Sequence, residues 1–409
     1  MTSQIRGLGG RGAVLCLAVA LAASFLAAPT PAPAHASTKV LAATPYMGWD
    51  TYFAFSSRYD EATVLEQASF LVTSGLERDG YRLIWLDVGW WKGTRDASGN
   101  ITVSATTWPH GLAWLTHTLH AEGFQVGLYT DAGSTGCGGK PAGSYGHYQQ
   151  DVNQFARWGF DAVKVDFCGG DERHLVPKTA YTAFHEAIVH NSSHRPMMLN
   201  ICVFPLPGQA GHGYPPFSRS AFSSYTFGPS DGTSWRTDTD VGNPVAVTFA
   251  GVLRNMDADD TEPSAAGPGH WNDPDYLGPD RGMSAAQFQT QFSMWSMLAA
   301  PLMISDNLSN LSAASYATVT NKQMIAIDQD RLGRQATEVG ASGDGEIFKK
   351  VLEHGDYAVA LLNRGASPIS LSTTMQAIGI PAASSYTLAS VWTGTSSTTT
   401  GAVGATIAP

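Results

Sequence analysis

Apolar runs that end on a polar or aromatic residue recur along this chain, and they alternate with stretches of helical periodicity. The period and length of the apolar pattern predict strands at residues 46–50, 83–90, 125–131, 162–167, 198–204, 235–241, 269–277 and 302–308. Helix-like segments at 61–74, 112–121, 148–158, 180–190, 245–256 and 285–298 separate them. Eight such units in succession predict an α/β fold of the (β/α)8 TIM barrel type, whose active sites lie at the C-terminal ends of the strands. After Asp330 the texture changes to short alternating segments with Ser- and Thr-rich stretches and Gly and Pro turns, which predicts a small C-terminal antiparallel β-sandwich domain. The expected boundaries are 37–334 for the catalytic barrel and 335–409 for the β domain. The connection 205–233 is too long for a routine link and is expected to shape a site.

The first residues read differently. Arg6 and Arg11 precede an apolar stretch from Ala13 to Ala28, and Ala34-His35-Ala36 supplies the small residues of a cleavage site. Residues 1–36 are therefore expected to be a secretory signal peptide and the mature protein to be extracellular. The apolar core is shorter than the roughly 20 residues of a spanning helix, so no membrane association is expected after cleavage.

Composition narrows the partners. The chain has 409 residues, 43% hydrophobic and only 14% charged, with a formal net charge of −10. Nucleic acid and anionic membranes need clustered positive charge, so both are disfavoured, and a neutral polar ligand fits better. Of four cysteines, Cys16 lies in the signal segment. Cys137 and Cys168 follow neighbouring predicted strands, where a bridge at the barrel rim is plausible in an exported chain. Cys202 reads as a buried thiol.

The polar residues at the strand ends carry the chemistry. Asp87, Asp131, Asp166, Asp240 and Asp275 all fall there, and five convergent carboxylates are better explained by glycoside cleavage than by five separate loop caps. Lys164 lies two residues before Asp166, hence on the same face of the strand, and is expected to hold that aspartate ionised. Trp49, Trp85, Trp90 and Trp91 offer flat apolar surfaces for a sugar. Clustered aspartates also suit Mg²⁺ or Ca²⁺, but the predicted rim has no histidine pair at ligand spacing, and Lys164 and Arg236 would repel a cation. No metal is expected.

These residues resemble a known family. Tyr46-Met-Gly-Trp49, Gly127-Leu-Tyr-Thr-Asp131-Ala-Gly, Lys164-Val-Asp166-Phe-Cys168, Trp235-Arg236-Thr-Asp-Thr-Asp240, Ala266-Gly-Pro-Gly-His-Trp271-Asn-Asp-Pro-Asp275 and Ala326-Ile-Asp-Gln-Asp330 look like glycoside hydrolase family 27, the retaining α-galactosidases and α-N-acetylgalactosaminidases. The resemblance implies hydrolysis of a terminal α-D-galactosyl residue of an oligosaccharide or polysaccharide in two displacements, without a cofactor. It implies Asp166 as nucleophile and Asp240 as acid/base. Asp238 and the cluster Asp257, Asp259 and Asp260 compete for the second role, and the spacing from Arg236 selects Asp240. Trp49, Asp87, Tyr129, Lys164, Arg236 and Asp275 match sugar-contacting positions, and Cys137 and Cys168 a family disulfide.

Two positions depart from the galactosidase pattern. Val88 stands where a second aspartate grips the 4- and 6-hydroxyl edge, and Val203 where a glutamate holds the 2-hydroxyl. Alternatives on the same fold are therefore a β-L-arabinopyranosidase and an isomaltose-releasing dextranase. From another class, a carbohydrate-binding barrel without turnover is the alternative, disfavoured by the presence of both Asp166 and Asp240.

Overall fold

A computed structural model describes residues 2–6, 41–140, 142–203, 223–243 and 246–409. Eight short parallel strands form one sheet: β1 (Met47–Asp50), β2 (Leu83–Leu86), β3 (Gln125–Asp131), β4 (Ala162–Asp166), β5 (Met198–Cys202), β6 (Ser234–Arg236), β7 (Trp271–Asp273) and β8 (Leu302–Ile304). Neighbours in the chain are neighbours in the sheet from β1 to β7, and β8 pairs with β1 (Ile304 opposite Trp49). The chain beyond β7 closes the ring, because Leu277 bridges Ile304 in parallel, with Leu277 N donating to Met303 O at 2.8 Å. This is the barrel expected from the sequence.

The helices form where periodicity and caps agree. Glu61–Ser74 begins at Asp60, whose carboxylate accepts from Thr63 N, and stops at Gly75, whose φ of 92° ends the helix. Ala285–Leu298 opens on a full capping box of Ser284 and Gln287 and packs nearly all round, against the barrel on one side and the β domain on the other.

Six of the eight strands, all but β1 and β3, are shorter at their C-terminal ends than the apolar pattern predicts. At β2 the ladder stops at Leu86, because Asp87 N turns to Thr51 Oγ1 (3.0 Å) and Val88 N to Asp87 Oδ1 (2.6 Å). Leaving the ladder is what frees these residues to face a ligand rather than a neighbouring strand.

From Thr337 onward the structure is antiparallel. Thr337–Ser342, Gly345–Val351 and Tyr357–Asn363 form a meander, and Tyr386–Ser390 pairs with Ser396–Thr399. Ile369–Thr374 pairs with Ala402–Ile407 in a second sheet. Alternation decides the packing: Ile347, Val359 and Leu361 face the interior between the sheets, while Phe348, Ala358, Ala360 and Leu362 join the barrel core. Lys350 is buried on the barrel side, its ammonium donating to Ser296 O at 2.8 Å.

The expected signal peptide falls mostly outside the described residues. Its Thr2–Arg6 lies as a strand between Tyr357–Asn363 and Tyr386–Ser390, antiparallel to both. Among the described residues no helix is long and apolar enough to cross a membrane.

Candidate active site

A cavity of about 470 Å³ opens at the C-terminal ends of the barrel strands, lined among others by Asp87, Lys164, Asp166, Arg236, Asp240 and Asp275. Strand alternation explains part of the set, since Lys164 and Asp166 are two apart on β4 and share a face. Of the five expected carboxylates four converge here.

Asp131 is the exception. It sits opposite Asp166 in the ladder, yet its oxygens accept from Gly133 N (2.6 Å) and Gly169 N (3.2 Å) and it caps the two loops. Those loops touch so closely that a Cβ on Gly133 would lie 1.9 Å from the Gly169 carbonyl carbon. Their contact also brings Cys137 and Cys168 together, with Cα atoms 5.0 Å apart in a disulfide, while Cys202 is a buried free cysteine. Asp131, Cys137 and Cys168 cluster like metal ligands, but the bridged sulfurs offer no thiolate.

Asp166 has few partners, with the buried Cys202 thiol giving its carboxyl a hydrogen bond. Its Oδ1 is buried with no hydrogen-bond partner among the described residues. Near Oδ2 stands Cys137 Sγ at 3.1 Å, which in the disulfide has no proton to give. Burial pushes the Asp166 carboxyl up to about 6, against the pull of the Lys164 ammonium. Lys164 is the strongest pull toward the ionised form of Asp166, while its ammonium is bonded to Asp87 Oδ2 (2.8 Å) and the Tyr276 hydroxyl (2.9 Å). Burial opposes the lysine's charge, but the carboxylates, Asp87 first, outweigh it and hold Lys164 well above its usual range.

Arg236 joins the remaining two carboxylates. Its guanidinium lies 3.0 Å from Asp240 Oδ1 through Nη2 and 3.0 Å from Asp275 Oδ1 through Nη1. Asp275 is fully buried and burial pushes it up to about 7 against Arg236, whereas the Asp240 side chain is 40% exposed. Among the competitors for the acid/base role, Asp238 turns toward Thr239 N and Arg254 and does not line the cavity. Asp257 pairs with Arg364 of the β domain, Asp259 is buried under Thr237, and Asp260 is likewise outside the lining.

The tryptophans are corrected by the structure. Trp49 is fully buried and donates to Asp306 O at 2.8 Å; Trp85 and Trp90 donate to Leu128 O and Tyr129 O; Trp91 donates to Thr94 O. None lines the cavity. An indole buries a large apolar area and needs one acceptor for its N–H, and the barrel wall offers both. The aromatic lining is instead Tyr52, Phe53, Tyr129, Phe167 and Tyr276. Tyr129 was expected there, with its hydroxyl accepting from Cys137 N at 3.0 Å. Tyr276 was missed, although it directly follows Asp275. Val88 and Val203 both line the cavity, as the departures in sequence require. Residues 204–222 of the long connection lie outside the described residues.

A rim of acidic side chains lining a cavity on a (β/α)8 barrel, with a β domain packed against the barrel, defines the class. The α-galactosidase A family matches residues 44–330, and the α-galactosidase C-terminal β-sandwich domain matches 342–409. The chain belongs to this α-galactosidase family, glycoside hydrolase family 27. It is 38% identical to α-galactosidase A of Cellvibrio japonicus over 79% of this chain and 77% of the relative. The structure of the Saccharomyces cerevisiae α-galactosidase with raffinose is similar at a TM-score of 0.73 and 27% identity, covering 83% of this chain and 78% of that one. α-Galactosidase I of Mortierella vinacea shares the fold at a TM-score of 0.80 and 24% identity, with 91% and 96% covered.

Proposed function

We propose that this protein is a secreted, exo-acting, retaining α-glycosidase that removes terminal α-D-galactosyl residues from oligosaccharides. The observation that carries the reading is the bare Asp166 oxygen in the same cavity as Asp240. A buried carboxylate oxygen without a donor is poorly solvated, which suits attack on an anomeric carbon. Asp240 is partly open to water, as an acid that protonates the leaving oxygen and later deprotonates water must be. In this scheme Asp166 forms the glycosyl ester, and water admitted beside Asp240 cleaves it, so two inversions give net retention. Retention needs the two carboxyl groups about 5 to 5.5 Å apart. Asp87, Lys164, Arg236 and Asp275 orient the sugar, and no cofactor enters the scheme. The relatives named above are α-galactosidases, which supports galactose as the glycon.

The experiment is to follow the anomeric proton of the sugar released from an aryl α-galactoside by NMR, before mutarotation. Release of the α anomer is expected, and Asp166→Asn should abolish turnover. A first product in the β configuration would overturn the scheme. Export is supported by the sequence of residues 1–36 and by a disulfide, which suits an oxidising compartment; N-terminal sequencing of protein from culture medium should begin near Ser37. A second reading, a β-L-arabinopyranosidase or an isomaltose-releasing dextranase, is favoured by one observation, the apolar Val88 on the cavity wall.

A further inference from the structure

Tyr276 is brought into the cavity by an unusual backbone. Asp275 has a φ of 92°, in the left-handed region that residues with a Cβ seldom enter. Along a regular strand Asp275 and Tyr276 would point to opposite faces, but this turn lets both line the cavity. Helix Ala285–Leu298 holds the turn in place: Trp295 Nε1 donates to Asp275 O at 2.7 Å and Gln291 Nε2 to Tyr276 O at 3.0 Å. Backbone strain kept in this way at a site usually serves a ligand.

The phenol completes a triangle. Its oxygen lies 2.9 Å from Lys164 Nζ and 3.1 Å from Asp87 Oδ2, and Lys164 Nζ is 2.8 Å from the same Asp87 oxygen. Burial pushes the Tyr276 hydroxyl well up, so it keeps its proton and donates to Asp87 while accepting from Lys164. An ammonium has three N–H donors, and a phenol oxygen, whose other lone pair is delocalised into the ring, has one good acceptor site. With these bonds made, the Tyr276 hydroxyl is fully engaged, and the triangle retains one Lys164 N–H and acceptor capacity on Asp87. One donor beside one acceptor matches adjacent hydroxyls of a sugar ring, each able to donate and to accept. The nearby wall contributed by Val88 and Val203 is apolar and offers no competing side-chain partner.

We propose that Tyr276 is a positioning residue for specificity, whose hydroxyl aims Lys164 and Asp87 at a vicinal diol of the sugar ring held in the cavity. The proposal rests on the glycosidase reading above and names the part of the glycon that the site recognises.

Tyr276→Phe takes away only the hydroxyl, leaving the ring 4.8 Å from Lys164 Nζ. The measurement is kcat/KM of wild type and variant on an aryl α-galactoside and on its 2-, 3-, 4- and 6-deoxy analogues. The variant should lose about 10- to 100-fold on the parent, the range for a hydrogen bond involving a charged group. On one analogue of the series the wild type should show a similar loss and the variant little further loss, because the same bond is already missing. Equal losses on every analogue would overturn the proposal, since the hydroxyl would then support the site as a whole and not recognition of the diol. The wild type alone gives a second test: deleting either of two adjacent hydroxyls should be costly, and tolerance of every single deletion refutes the diol. Failure to cleave the parent while cleaving another glycon would overturn galactose instead, and the Tyr276 comparison then runs on that glycon's deoxy series.

Discussion

The Lys164 ammonium lies 2.8 Å from Asp87 Oδ2, joining the middle of β4 to the residue just past the end of β2. Both side chains are nearly closed to water, at 7% and 2% exposed. Removing one member of such a pair leaves the other charge buried and uncompensated, at a cost of about 3 to 5 kcal/mol. Lys164→Met should therefore lower the denaturant midpoint without changing the slope. The double variant Asp87→Asn/Lys164→Met should recover part of the loss, because Asp87 no longer leaves an uncompensated charge. Equal stability of the single and double variants would show that the pairing contributes nothing.

Buried carboxylates set the pH response. Burial pushes Asp166 up to about 6, Asp275 to about 7, and Asp131 and Asp328 to about 8. Since the nucleophile must be ionised, kcat/KM should fall as pH drops through about 6. Stability should move the other way. Between the ordinary carboxyl value of 3.8 and these raised values the native state binds more protons than the unfolded chain, so stability declines as pH rises toward 8. Burial lowers Lys350 to about 8, so above that pH the unfolded chain binds the extra proton and stability is partly regained. Thermal midpoints measured from pH 5 to 8 should fall, less steeply in Asp328→Asn. A midpoint that climbs steadily from 5 to 8 contradicts this.

The barrel was legible because its strands are apolar runs closed by polar residues, a pattern that follows from burial on both faces until the rim is reached. The site was legible as a set of strand ends, but three features needed the structure. Asp131 and Asp166 are ladder partners, and only the glycine loops beside Asp131 decide that one is a cap and the other faces the cavity. The tryptophans were expected to face sugar, yet their N–H groups found main-chain acceptors in the wall. Tyr276 points inward because of one dihedral at Asp275, which no apolar period encodes.

The disulfide joins the loops that carry the rim. Cys137 and Cys168 are 31 residues apart, and constraining a loop of that size is worth roughly 2 to 4 kcal/mol. Thiol titration of the denatured, unreduced protein without residues 1–36 should find one free cysteine, Cys202. Cys137→Ser/Cys168→Ser should be less stable by that amount. It should also lose activity, since Cys137 N supports Tyr129 and Cys137 Sγ lies against Asp166. Three free thiols in the oxidised protein would refute the bridge.

Val88 tests how the pocket treats the 6-hydroxyl edge. It lies on the cavity wall beside Asp87, and its backbone N–H is already bonded to Asp87 Oδ1. An aspartate is close to valine in size, so Val88→Asp places a carboxylate on that wall with little change of volume. A site group that is left unpaired when a hydroxyl is missing is what makes a pocket reject the smaller sugar. With valine there is no such group, and wild-type preference for an α-galactoside over the β-L-arabinopyranoside should be small or reversed. With aspartate the ratio of kcat/KM should shift toward galactoside by about 10-fold or more, corresponding to roughly 1.5 to 3 kcal/mol for a charged hydrogen bond. Absolute activity should drop somewhat, because the new charge sits beside Asp87 and competes for Lys164. A wild type that already prefers galactoside by several orders of magnitude, and a Val88→Asp variant that only loses activity, would move recognition of that edge to another residue of the rim.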